Sequence, residues 1–311
     1  MDYLILFIAL ALTSATFSIN KIYQKKYTGG LRDIFFYSFV SGISNIVFFI
    51  LLGLGLYGRL PEFSVFSLVM ATALAVVSTL SVLVGLIIMK YGPMSVYSVF
   101  MMLGGMILPY LFGLTFLDET ISPARVVGIL VLICALPFSA ASPAKKSEAE
   151  AKKTVSSKFY YILCIFIFLL NGATSIISKT HSVNVSAVPA ASFIVYANIW
   201  GVLINGAAYF IFAPRMIKSE KSENADKQGA KPSKLNAILT IVICSVVGGI
   251  GSLIFLTSAK TVPAVVLYPF ITGGIIVLNT VCARIFFKEK IGKLAAAGVA
   301  MSFAGTLLFL F

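Results

Sequence analysis

Residues 90–128 read KYGPMSVYSVFMMLGGMILPYLFGLTFLDETISPARVVG, and residues 260–298 read KTVPAVVLYPFITGGIIVLNTVCARIFFKEKIGKLAAAG. The second stretch repeats the first at an offset of 170, without a gap. Ten of the 39 positions are identical: Lys90/Lys260, Pro93/Pro263, Val96/Val266, Phe100/Phe270, Gly104/Gly274, Leu108/Leu278, Phe116/Phe286, Glu119/Glu289, Ile121/Ile291 and Gly128/Gly298. A composition this biased gives roughly three matches by chance, and self-similarity at a fixed offset marks a repeated structural unit. Val96, Phe100, Gly104 and Leu108 follow each other in steps of four, which is one ridge of an α-helix. Each half of the chain therefore holds the same helix, entered by a proline and followed by an acidic turn.

The surroundings of that helix are apolar. The chain has 311 residues, 59% hydrophobic and only 11% charged. A soluble domain carries about 25% charge, so this composition predicts a polytopic membrane protein in the lipid bilayer. The net charge of +13 does not point to nucleic acid, because the basic residues sit in short gaps between apolar runs. The four cysteines lie inside apolar runs, form no CxxC pair and read as buried thiols, with no metal and no cofactor. A membrane span needs ~20 apolar residues. Ten spans are expected, at 3–20, 33–56, 65–89, 93–116, 122–140, 159–178, 188–212, 236–259, 263–287 and 291–310. The gaps at 141–158 and 213–235 are rich in Lys, Glu and Ser and read as solvated and mobile. The first divides the chain into one five-helix repeat over 1–140, a basic linker over 141–158 and a second repeat over 159–311.

Weaker echoes extend the repeat. Ala15-Thr16 with Lys21 returns as Ala173-Thr174 with Lys179, an offset of 158; Tyr37 and Gly42 return as Tyr196 and Gly201, an offset of 159. Five is odd, so the halves enter the bilayer upside down relative to each other. Inverted repeats are typical of alternating-access transporters, with the site between the halves near the midplane. The predicted fold is all-α: ten transmembrane helices as two inverted five-helix repeats.

The five-plus-five pattern, the Pro-entered fourth and ninth helices and the turns Leu117-Asp-Glu-Thr and Phe287-Lys-Glu-Lys together resemble the EamA-type members of the drug/metabolite transporter superfamily. The resemblance covers nearly the whole chain through soft motifs. It implies export or exchange of small metabolites, amino acids, sugars, nucleotide-sugars, phosphorylated compounds or drugs at the plasma membrane. It also implies cytoplasmic termini. The charges imply the reverse: with the N-terminus outside, inside loops hold 20 Lys and Arg and outside gaps hold 4. By the positive-inside rule both termini lie outside.

All eleven acidic residues fall at span ends or in loops. The small multidrug-resistance relatives of this superfamily exchange protons for cationic drugs on a carboxylate in the first helix. Here span 1 offers Thr13, Ser14, Ser18 and Asn20 instead, so that chemistry has no evident site. Lys21 and Lys179, which close spans 1 and 6, and Lys90 and Lys260, which close spans 3 and 8, fit either attraction of an anion at the mouths or snorkelling at helix ends. Pro93 and Pro263 place helix N-termini, with their free N–H donors, at the same mouths. Tyr37, Asn45, Tyr97, Met101, Asn171, Thr174, Asn198, Tyr268, Thr272 and Asn279 lie at cavity depth and form the candidate substrate lining, open also to a reading as interhelical glue. Glu119 and Glu289 read as caps of the helices that follow them. Ala296, Ala300 and Ala304, with Gly298 and Ser302, suit close packing of span 10 on a neighbour, or a homodimer contact.

An enzyme is not expected: His181 stands alone, without an HExxH motif or a Ser/His/Asp set. No G-x-x-x-x-G-K-[ST] loop occurs, so energy comes from gradients or exchange. The reading is a secondary transporter of a small neutral, zwitterionic or anionic metabolite of the amino acid or organic acid class. Multidrug efflux and lipid-linked sugar flipping on the same scaffold are the alternatives.

Overall fold

The computed structural model describes residues 2–27, 31–58, 60–91, 94–120, 122–140, 157–223, 234–286 and 292–310. The described residues form ten α-helices and no strand. They are α1 (Asp2–Tyr27), α2 (Leu31–Tyr57), α3 (Val65–Tyr91), α4 (Met94–Phe116), α5 (Pro123–Ala140), α6 (Ser157–Val183), α7 (Ala190–Glu223), α8 (Lys234–Thr261), α9 (Ala264–Phe286) and α10 (Lys293–Leu307), with a short 3-10 turn at Leu308–Leu310. Eight are long and apolar enough to cross a membrane; α5 and α10 are apolar but shorter, with cores at Pro123–Phe138 and Lys293–Leu307. Large apolar side chains cover the outside, Leu51 at 62%, Ile162 at 61% and Phe210 at 68% exposure among them. Helices that are apolar all round belong in lipid or in a large core, and contiguous exposed apolar surface of this kind is unusual on a soluble monomer.

The helices outrun the apolar runs. Residues 213–223, expected in a solvated loop, continue α7 as far as Glu223. Hydropathy locates where a helix meets lipid, whereas the backbone ladder continues into water. Both α4 and α9 run through their internal prolines, Pro109 and Pro269. Most of the linker, 141–156, and Pro93, Glu289 and Ile291 lie outside the described residues, as does the side chain of Lys90.

The packing follows the sequence repeat. α1 packs on α8 and α9; its counterpart α6 packs on α3 and α4. Three pairs of counterparts also pack on each other: α2 with α7, α4 with α9 and α5 with α10. The glycine of the repeated ridge explains part of this. Gly104 lets α4 approach α6 so closely that a Cβ there would overlap the Phe168 carbonyl, and a Cβ on Gly274 would overlap the Leu10 side chain of α1. Leu10 and Phe168 are themselves 158 residues apart, the offset that relates α1 to α6. The ridge matched in the sequence is thus a packing ridge.

On α10 the small residues divide between two faces. Gly298, Ser302 and Gly305 are buried, and Gly305 meets Gly128 of α5, whereas Ala296, Ala300 and Ala304 point outward.

Candidate functional site: a polar chamber among six helices

A cavity of about 570 Å³ lies among α1, α2, α3, α6, α7 and α8, reaching from the middles of α1, α3 and α8 to the last third of α6 and the first turns of α7. Its polar lining is Thr13, Thr16 and Asn20 from α1, Tyr37, Ser41 and Asn45 from α2, and Ser78 from α3. The second half adds Thr174 and Ser178 from α6, Asn198 from α7, and Cys244, Ser245 and Ser252 from α8. Phe17, Phe193 and Phe255 supply aromatic surface. Among the described residues that line it, none carries a formal charge. Ligand pockets of small molecules span ~300–1,000 Å³, so the chamber fits a metabolite.

The threonines and Ser178 bond back along their own helices, whereas Ser245 Oγ also meets Ser41 Oγ at 2.7 Å, joining α8 to α2. Thr16 donates to Leu12 O at 2.8 Å and Thr174 to Leu170 O at 3.1 Å, the same bond at repeat-related positions. Thr13 donates to Ala9 O at 2.8 Å, Ser178 to Thr174 O at 2.9 Å, and Ser245 to Ile241 O at 2.6 Å. The Tyr37 hydroxyl meets Asn20 Oδ1 and, at 3.3 Å, Cys244 Sγ. Asn198 Nδ2 donates to Ile194 O at 2.7 Å, and Asn45 Oδ1 is buried without a partner. A Cβ on Gly249 would come within 2.5 Å of that oxygen, so the glycine makes room for the Asn45 amide.

Of the sequence-predicted lining, Tyr37, Asn45, Thr174 and Asn198 face the chamber together. The others lie outside its lining. Asn171 donates to Met101 O at 2.7 Å, tying α6 to α4, and Tyr97 donates to Met101 Sδ at 3.3 Å within α4. Tyr268 donates to Ser175 O, and Asn279 accepts from Ser14 Oγ at 2.7 Å. Thr272 is half-buried on α9, and Lys21 is exposed at the end of α1. No chamber residue comes from α4 or α9. Tyr268 and Asn279 tie α9 to α6 and α1, and Asn171 ties α6 to α4, because the glycine ridges press α4 and α9 onto α6 and α1.

Lys179 is held away from the chamber by partners of its own. It is 3% exposed, donates to Ala259 O at 3.0 Å and Val262 O at 2.8 Å, and lies 3.6 Å from the Glu119 carboxylate. Glu119 in turn accepts from Ala264 N at 2.7 Å and Val265 N at 2.9 Å. The next two N–H groups, of Val266 and Leu267, go to Pro263 O. Proline has no N–H, so the orphan donors at the start of α9 are satisfied. The helix N-terminus expected to attract an anion is already filled by the protein's own carboxylate. Glu119 is a cap, as expected, but of α9 in the other half; α5 is started by Ser122, whose oxygen atoms receive the Arg125 N–H. Asp118, at φ 50°, turns the chain back so that Glu119 reaches this position.

A second hollow, of about 850 Å³, opens at helix ends rather than helix middles, between the α2–α3 connection and the starts and ends of α7 and α8. Glu62 and Lys260 line this mouth. The two hollows share a wall: Phe193, Ile194 and Leu256 face the chamber, while Phe49, Val195 and Leu253 face the mouth. Behind that wall His181, 2% exposed, stacks on Phe193 with ring centroids 3.7 Å apart and lies 3.1 Å from Ser67 Oγ. Ser67 Oγ also accepts the Val188 N–H at 3.0 Å, and the direction of its bond with His181 Nε2 follows the imidazole tautomer. Among the described residues no group of three or more His, Cys, Asp or Glu is placed to hold a metal ion.

No family model matches the sequence, and no curated protein matches it. A solved structure described only as "Crystal structure of protein" superposes with a TM-score of 0.73, covering 99% of this chain and 96% of that one at 14% identity. That likeness concerns the fold alone.

Proposed function

We propose that this chain is an EamA-type member of the drug/metabolite transporter superfamily, a secondary transporter of a small polar metabolite at the plasma membrane. The carrying observation is the chamber: polar, without formal charge among its described lining residues, and built from both halves. Alternating access needs a site between two equivalent units. Exchanging the halves maps α1–α8 packing onto α6–α3 packing, and the Gly104–Phe168 approach onto Gly274–Leu10, which supports two related units in opposite orientation. In this reading α5 and α10 complete the ten crossings. An uncharged chamber favours neutral and zwitterionic substrates over anions, since an isolated charge leaves water at a cost unless the site compensates it.

The test is a thermal-shift screen of a metabolite library on the purified full chain, because a ligand of the folded state raises its apparent stability. Stabilisation by neutral or zwitterionic compounds is expected. A hit list made only of lipophilic tertiary and quaternary amines would move the assignment to drug efflux.

A further inference from the structure

We infer that His181 is a proton-operated latch on the wall between chamber and mouth: the neutral ring holds the wall shut, and the protonated ring releases it. The inference rests on the transporter reading only for calling the wall a gate. The wall is sewn together across the two halves. Ser64 Oγ donates to Ser186 O at 2.8 Å, and the Glu62 N–H donates to Ser192 Oγ at 3.1 Å. The Tyr196 hydroxyl donates to Glu62 O at 3.0 Å. Ser67 Oγ takes the Val188 N–H at 3.0 Å and meets His181 Nε2 at 3.1 Å. Each of these bonds joins the α2–α3 connection or the first turn of α3 to the end of α6, the start of α7 or the chain between them. Phe193, which faces the chamber, rests on the His181 ring. Among the side chains that make these bonds, only His181 changes its charge between about pH 5 and pH 8.

The surroundings suit the neutral ring. It is 2% exposed, with Phe193 stacked at 3.7 Å and Phe66 parallel to it at 6.2 Å. No carboxylate among the described residues answers a charge there. α4 has no charged residue, α3 has only Lys90 in its last turn, and α7 has none before Arg215. Glu119 is engaged by Lys179 and by the first N–H groups of α9, and Glu62 and Asp118 are exposed. Lys260, at the end of α8, is the charged group whose field reaches His181, and it has the sign of an imidazolium. The phenylalanine faces offset part of the cost of a cation, while burial and Lys260 oppose it. An imidazolium also carries two N–H donors and no acceptor, and Ser67 is the one hydrogen-bond partner of the ring among the described residues. A charged His181 is therefore best placed where it meets water, and reaching water parts it from Ser67 and Phe193. The open arrangement binds the proton more readily, so acid raises its population.

His181 is the single histidine of the chain, so the ring signals of histidine-labelled protein report this site alone. Val65 and Val185 are exposed and flank the Ser64–Ser186 bond. Spin labels on Val65→Cys and Val185→Cys, in a full chain without the four native cysteines and held in lipid nanodiscs, read the separation of the two sides by dipolar coupling. Two results are expected. The ring takes up a proton between about pH 8 and about pH 5, and over the same interval the label separation shifts reversibly to a longer one. His181→Gln, which keeps a polar group for Ser67 but never a charge, is expected to hold the short separation at both pH values.

A ring that takes up no proton in that interval would overturn the inference. So would proton uptake with no change in separation, or a pH response that survives in His181→Gln. Where the glutamine variant does not fold, asparagine replaces it, and the two measurements on the histidine-containing chain decide without either. Neither readout needs a substrate. A latch that answers pH in a chain that moves nothing across liposomes would remove the transporter and keep the latch. Saturable flux in a chain whose wall ignores pH would do the opposite.

Discussion

Glu119 holds one end of α9 and one buried cation at once, so its removal has two separable costs. Lys179 and Glu119 are 3% and 10% exposed. Breaking one partner of a buried pair leaves the other uncompensated, at ~3–5 kcal/mol, and losing a cap costs ~0.5–2 kcal/mol. Glu119→Ala should therefore lower thermal stability sharply, and Lys179→Met combined with Glu119→Gln should recover part of the loss. A double-mutant cycle in thermal unfolding measures the coupling; additive losses would mean that the pair contributes nothing. Asp118 gives a second residue-scale prediction. At φ 50° a β-branched residue is strained by ~1–2 kcal/mol while glycine is not. Asp118→Gly should leave the melting temperature nearly unchanged and Asp118→Val should lower it. The target of Glu119 was not legible in the sequence. The repeat marked the residue, and helix-capping chemistry gave its role, but sequence spacing pointed to α5, and only the folded turn brings the carboxylate to α9.

At the scale of the element, the repeated glycine is the sharpest probe. A Cβ on Gly104 would meet the Phe168 backbone oxygen, which is fixed by its helix; a Cβ on Gly274 would meet the far end of the Leu10 side chain, which can rotate. Gly104→Ala should thus cost more than Gly274→Ala, by ~1–3 kcal/mol of overpacking strain, read as the difference in their melting temperatures in detergent. Equal melting temperatures would show that α4 and α6 have slack there. Helix existence was legible throughout, because ten apolar runs separated by polar gaps leave few other readings. The helix neighbours were not. A ridge at steps of four shows which face of a helix packs, not which helix it meets, and this is why Asn171, Tyr268 and Asn279 read as lining when they tie one helix to another. The chamber itself was half visible. Asn45 and Asn198 stand out as polar groups in apolar runs, whereas Ser78, Ser178 and Ser252 look like the hydroxyls common to any membrane helix.

For the whole molecule, two questions follow from the packing: which way the bundle sits in the membrane, and whether its halves alternate. The 20-to-4 distribution of Lys and Arg predicts both termini outside. Impermeant thiol labelling of Lys152→Cys and Phe311→Cys, each in a chain without the four native cysteines, should modify position 311 from the outside and position 152 only after permeabilisation. The opposite pattern would restore the cytoplasmic termini implied by the family resemblance. The wall between chamber and mouth, built around Phe193 and Leu256, is apolar on both sides. The central claim is that the chamber is the site of exchange between the two faces. Counterflow in liposomes holding the purified chain tests it most directly. With a chamber ligand loaded inside, labelled ligand outside should accumulate transiently and saturably, and Thr16→Val should suppress the accumulation. Binding of the same ligand without any counterflow would contradict the account.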